Sequence, residues 1–341
     1  MGFTRQIRKK MTQGFLKWGQ NFALKSDYTG IERLRKILLR VTKIAIPLRK
    51  RLERNMKCAG IYKPHLIDAH FERVIDQMIM LAHVFRAGFP DSGCPERFTF
   101  DDSFELLQQA YDKGKGVICI SPHICGYPVY PPIITPRIPC TIYLRQNKDP
   151  HKMSLNQAIG DAGKGDLIYA PKEATKAQRL KVITDAIKNG KMVFICADTP
   201  RKFDSGVPVK IFGRTAYFPS GVFTMSLRTG APVVPVTWHW ENGQYHIHYD
   251  NPIELKRGGD LRRKAGVATQ KWAKSVDEFL HEHPEMWWNW LDKRWTYIIR
   301  DDKRFMIKSM KRVAKNEGGH RNFNMAFSEN DILNSKKKKN A

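Results

Sequence analysis

The run Gly116-Val-Ile-Cys-Ile-Ser-Pro122, continued by His123-Ile-Cys-Gly126-Tyr127-Pro128, decides the fold class. Val117 to Ile120 are apolar without alternation, the pattern of a strand covered on both faces. Lys191–Ala197 repeats it. Further strand candidates are Ile138–Leu144, Asp166–Tyr169, Val233–Trp240 and Gln244–Tyr249, with helical runs at Lys172–Asn189 and Ser220–Thr229 between them. Strands alternating with helices predict an α/β protein, with helices layered on a sheet whose central strands are Gly116–Pro122 and Lys191–Ala197. Upstream, segments 30–57 and 63–87 read as helices, the second carrying Ile67, His70, Val74, Met78 and Leu81 on one stripe. Asp101–Asp112 reads as another, with Asp101 or Asp102 as cap.

The chain has 341 residues and a net charge of +26. Its 42% hydrophobic content excludes global disorder. Residues 1–60 hold 16 Lys/Arg against 3 Asp/Glu, and residues 303–341 hold 11 against 3. The body between them is close to neutral. Cationic ends call for a polyanionic partner, whether nucleic acid, an anionic membrane face or an acidic protein. The expected organisation is a basic, helical, membrane-associating segment at 1–60, a globular domain at 61–302 and a polybasic tail at 303–341. The six cysteines form no C-x-x-C pair, so a zinc or thioredoxin-type site is unsupported, and their scatter over a chain of this length fits a reducing compartment.

No run is long and apolar enough to span a bilayer. The best stretch, Ile37 to Leu48, is interrupted by Arg40 and Lys43. Lying on a membrane is another matter. Phe3, Ile7, Met11, Phe15, Trp18 and Phe22 fall within an arc of about 120° on a helix, with basic residues mostly outside it. Such a stripe suits the headgroup layer, or packing on the protein's own core.

His123 follows a buried strand, at the edge where α/β sheets keep their sites. An imidazole there is able to take a proton from a hydroxyl near neutral pH, although a lone histidine at such a place more often caps a loop. Cys125, two residues on, reads as structural. Asp198 follows the second apolar strand in the same way and meets His123 if the two strands are neighbours. Downstream, Phe212-Gly213-Arg214 reads as a turn that leads to a helix start near Ser220. An arginine near a helix N-terminus suits phosphate or carboxylate groups.

Taken together, these pieces resemble the lipid A late acyltransferases of the lysophospholipid acyltransferase superfamily, over roughly residues 60–300. The resemblance rests on Gly114-Lys-Gly-Val-Ile with His123, Tyr143-Leu-Arg145, Ala197-Asp198, Gly206-Val-Pro-Val and Phe212-Gly-Arg-Thr-Ala-Tyr-Phe-Pro-Ser-Gly221. Thr229-Gly-Ala-Pro-Val-Val-Pro235 and His283-Pro-Glu-Met-Trp-Trp-Asn-Trp-Leu-Asp-Lys-Arg-Trp295 complete it. It implies a mixed central sheet flanked by helices. It also implies an acyltransferase in which His123 deprotonates a lipid hydroxyl that attacks a carrier-protein or CoA thioester. Asp198 and Arg145 are then supporting site residues, with Arg145, Arg214, Gly213, Ser220 and Tyr127 expected to bind substrate. No metal or cofactor is required. The expected partners are an anionic membrane with its glycolipid acceptor and an acyl or aminoacyl carrier protein as donor. The expected location is the cytoplasmic face of a bacterial inner membrane, held peripherally.

One departure matters. The family places an acid five positions after its histidine, where this chain has Pro128, and residues 113–148 contain no Asp or Glu. Asp198 is the first candidate to replace that acid and Asp204 the second. Three readings follow, in order: fatty-acyl transfer with Asp198 as relay, aminoacyl (glycyl) transfer to lipid A, and an inactive membrane-binding homologue. Nucleic-acid binding is not expected. The charge is terminal, and no nucleic-acid-binding motif appears. The tryptophans at 287, 288, 290 and 295 suit a membrane interface, a stacking platform or plain packing on the body.

Overall fold

The computed structural model describes residues 21–145, 166–170, 175–201, 206–255 and 258–302, and positions 18, 19, 153, 157, 160 and 161. Phe3, Ile7, Met11 and Phe15 of the N-terminal stripe, Asp204 and the Lys336–Lys339 run lie outside them. The chain divides into two units, Met1–Asp302 and Lys303–Ala341.

Three helices come first: α1 (Tyr28–Ile44), α2 (Ile46–Ala59) and α3 (Pro64–Ala87). The expected single helix over 30–57 is broken at Ala45. Pro47 lacks the N–H that would bond back to Lys43, so a new helix starts with proline in its first turn. After α3 come β1 (Phe98–Phe100), α4 (Phe104–Asp112), β2 (Val117–Ser121), α5 (Tyr130–Ile134), β3 (Cys140–Arg145), β4 (Asp166–Ala170), α6 (Lys176–Lys188) and β5 (Met192–Cys196). The hairpin β6 (Val207–Ile211) and β7 (Arg214–Phe218) leads into α7 (Gly221–Thr229). Then follow β8 (Val233–Glu241), β9 (Gln244–Tyr249), α8 (Leu261–Glu282) and α9 (Lys293–Ile299).

Among the described residues the main sheet runs β1-β9-β8-β2-β5-β3-β4. Strands β8, β2, β5, β3 and β4 are parallel, while β9 runs antiparallel to β8 and parallel to β1. The protein is therefore α/β with a mixed central sheet flanked by helices. Strand β2 is central and wholly buried. Its Ile118 and Ile120 enter one core layer, with Trp272, Trp290 and Trp295. Its Val117 and Cys119 enter the other, with Tyr130 and Trp238. Two covered faces are the reason the run shows no alternation.

Helices α5, α8 and α9, strand β1 and the β6–β7 hairpin escaped the sequence reading. Strand β1 is only three residues long. The β6–β7 hairpin has its own small sheet, and its Val207–Ile211 half includes Pro208, which argues against a strand unless the strand is an edge.

Candidate active site

Strands β2 and β5 pair in parallel, with Ser121 opposite Cys196. Their carboxyl ends therefore release His123 and Asp198 side by side. His123 Nδ1 bonds the Asp198 carboxylate through Oδ1. Asp198 is completely buried, whereas the His123 side chain keeps 22% of its surface open.

The other carboxylate oxygen is occupied. Asp198 Oδ2 accepts Trp287 Nε1–H at 3.0 Å and an Asn289 Nδ2 hydrogen at 2.9 Å. Trp295 Nε1 donates to the Asp198 backbone carbonyl at 3.1 Å. A buried carboxylate without donors would be costly, and this one is satisfied at both oxygens. Burial pushes its pKa up. The charge of His123 and the hydrogen bonds from His123 and Trp287 outweigh that, so the carboxyl is held below the usual aspartate value. An ionised carboxylate accepts only, so His123 Nδ1 carries the proton. Whenever that imidazole is neutral, Nε2 is its basic nitrogen. Such an imidazole is able to accept a proton from a hydroxyl placed at Nε2.

The loop bearing His123 is fixed by its backbone. Trp288 N–H donates to the His123 carbonyl at 2.9 Å, and Cys125 N–H donates to the Met286 carbonyl at 2.7 Å. Trp238 Nε1 donates to the Cys125 carbonyl at 2.7 Å. Gln77 Oε1 of α3 accepts Gly126 N–H at 2.8 Å. Gly126 has φ +94°, and a Cβ there would sit 3.2 Å from Trp238 Nε1, so the turn needs glycine. Cys125 is fully buried and burial pushes its thiol pKa up, in keeping with a structural role. Tyr127 meets the His123 ring edge-on at 5.1 Å.

The remaining expected residues are more scattered. Arg145 ends β3, next to β5, at the same edge of the sheet. Gly213 occupies the β6–β7 turn with Phe212, and both have positive φ (68° and 50°), as a tight two-residue hairpin requires. Positive φ is strained for phenylalanine. Asp277 accepts the Phe212 N–H at 2.6 Å, and the Phe212 ring stacks on Trp290 at 5.2 Å. These contacts hold the strained turn on the aromatic cluster that includes Trp287. Arg214 opens β7 and is half-buried. Among the described residues no hydrogen bond or ion pair joins Arg214 to His123 or Asp198. Ser220 precedes α7 at its N-cap position, but its hydroxyl makes no capping bond. Among the described residues no group of His, Cys, Asp and Glu is placed to hold a metal ion.

The sequence reading missed the part played by Trp287, Asn289 and Trp295. Their segment was conspicuous, but its tryptophans also suited a membrane belt. Trp287, Trp290 and Trp295 are fully buried instead. Each indole N–H finds a buried oxygen, the Trp290 one at the Pro284 carbonyl, 2.6 Å away. Tryptophan usually buries on those terms.

No curated protein sequence matches the chain. The model of the family described as bacterial lipid A biosynthesis acyltransferase matches residues 33–297, a span that holds the main sheet, the His123–Asp198 pair and the segment around Trp287. On that match the chain belongs to the bacterial lipid A biosynthesis acyltransferases.

Proposed function

We propose that this protein moves an acyl group from a carrier-protein or CoA thioester to a hydroxyl of a lipid A-type glycolipid, with His123 as general base. The observation that carries the reading is the His123–Asp198 pair, which leaves the partly open imidazole with Nε2 as its proton acceptor. The acceptor O–H gives its proton to Nε2 as its oxygen bonds to the thioester carbonyl carbon. The tetrahedral oxyanion then collapses, the C–S bond breaks, and the departing sulfur takes the proton from the imidazolium. Asp198 stabilises that imidazolium in between, doing from β5 what the family's acid does from position 128. Arg145 and Arg214 are assigned to phosphate groups of the lipid or of the carrier's prosthetic arm, with Gly213, Ser220 and Tyr127 lining the acceptor site.

The protein works at the cytoplasmic face of the inner membrane, held peripherally through residues 1–60, with 303–341 as a polybasic tail. No described helix is long and apolar enough to cross a membrane. An acidic carrier protein complements the basic ends of the chain.

One observation favours a second reading, glycyl transfer to lipid A. Pro128 stands where fatty-acyl members keep their acid, and an altered site suits an altered donor. Mass spectrometry of lipid A from cells with and without the gene separates the two. A fatty-acyl gain supports the first and a glycyl gain the second. No change in any lipid, with the protein present and folded, overturns both.

A further inference from the structure

Helix α1 carries two apolar strips, and the protein covers only one. Ile31, fully buried, packs with Ile75 and Ile79 of α3, and Leu38 and Leu39 add to the same cluster. Ile37, Val41 and Ile44 face elsewhere. At 100° per residue they span about 60°, centred about 130° from the covered strip. Ile46 and Leu48, in the first turn of α2, are exposed as well, but at 100° per residue they point to nearly opposite sides of that helix. These five side chains are 46–74% exposed. Single exposed apolar residues are ordinary, but three on one strip of a helix form a patch that normally has a partner.

The flank of that strip says which partner. Arg33, Lys36, Arg40 and Lys43 are all exposed and lie to one side of it on the helix. None of the four forms an ion pair among the described residues. A second copy of this chain would set four unneutralised cations against four more, in a protein of net charge +26. An anionic lipid leaflet accepts both features at once, with acyl chains for the isoleucines and phosphates for the basic row.

We propose that the exposed strip of α1 beds into the surface of an anionic lipid leaflet. Ile37, Val41 and Ile44 enter the acyl boundary, and Arg33, Lys36, Arg40 and Lys43 rest on the headgroup phosphates. This rests on the reading that the acceptor is a membrane lipid and names the surface that reaches it. Helix α3, on which α1 packs, also holds the His123 loop through Gln77, so the lipid-facing helix and the site share one support.

The test compares the full chain with its triple variant Ile37→Ser/Val41→Ser/Ile44→Ser. Co-sedimentation is measured with phosphatidylcholine vesicles, with and without phosphatidylglycerol, and transfer is measured on detergent-dispersed acceptor. The expected result is at least about 10-fold weaker binding to the anionic vesicles. Thermal midpoint and detergent-phase transfer stay unchanged, because the three side chains support no core. A second variant, Lys36→Gln/Arg40→Gln/Lys43→Gln, should lose the preference for phosphatidylglycerol. Residues 1–17 are common to all three proteins, so any binding they add cancels. Unchanged vesicle binding by the triple variant overturns the proposal. So does a variant that loses self-association in sedimentation velocity but keeps vesicle binding. A wild type that binds anionic vesicles through this surface yet transfers nothing in detergent overturns the activity reading and leaves this one standing.

Discussion

His123 and Asp198 stand 75 residues apart in the chain and meet through an Nδ1–carboxylate hydrogen bond, because β2 and β5 are adjacent parallel strands in register. The pair joins the least exposed acid of the site to an imidazole that is partly open. That arrangement suits a base that must reach substrate while its own orientation stays fixed.

His123→Ala is expected to abolish transfer and to cost about 1–3 kcal/mol of stability, since the buried Asp198 carboxylate loses the partner at its Oδ1. Radiolabel transfer to lipid A and a thermal melt read the two quantities. Wild-type turnover in a folded variant would sink the mechanism.

Asp198→Asn is expected to lower kcat by about 10²–10⁴-fold. An amide at that position no longer stabilises the imidazolium, and its NH₂ competes with Trp287 and Asn289 for the same space. A near-silent substitution would point to Asp204 or to no relay.

Acid sensitivity follows from the same group. The Asp198 carboxyl is held below its ordinary value of 3.8 in the folded state. Its contribution to stability is therefore complete above the unfolded value and is lost as pH falls through the folded one. Between pH about 5 and about 2 the wild type should lose more stability than Asp198→Asn, read by chemical unfolding at each pH. Parallel slopes would remove Asp198 from the acid response.

Trp287→Phe and Asn289→Leu each delete one donor to Asp198 Oδ2. Each should cost about 1–3 kcal/mol of stability. Each should also move the acid limb of the kcat/KM profile to higher pH, because the carboxylate loses support for its charged form. Stability loss with an unmoved pH profile would make the two residues packing groups only.

Gly116→Ala tests the support of β2. Gly116 has φ +66°, and a Cβ there would lie 2.3 Å from the Ile187 carbonyl oxygen and 2.9 Å from that of Lys191. The expected loss is at least about 2 kcal/mol, measured by denaturant unfolding. A neutral substitution would mean that the α6–β5 turn yields freely.

Much of this protein is legible in its sequence, for local reasons. The apolar runs of β2 and β5 show no alternation because Ile118 and Val117 both have cores to enter, on opposite faces. Residues just past such runs lie at the carboxyl edge of a parallel sheet, which marked both His123 and Asp198 before any contact was known. The tertiary structure decided what local periodicity does not encode, namely which neighbour covers each face. Strand order made Asp198 the partner that Pro128 cannot be. The fold turned Trp287 and Trp295 inward, where their indole N–H groups find the oxygens of Asp198. Packing against α3 chose which apolar strip of α1 is covered and left Ile37, Val41 and Ile44 outside. A sequence specifies where apolar side chains lie along a helix or strand, but their burial depends on surfaces supplied by residues far away in the chain.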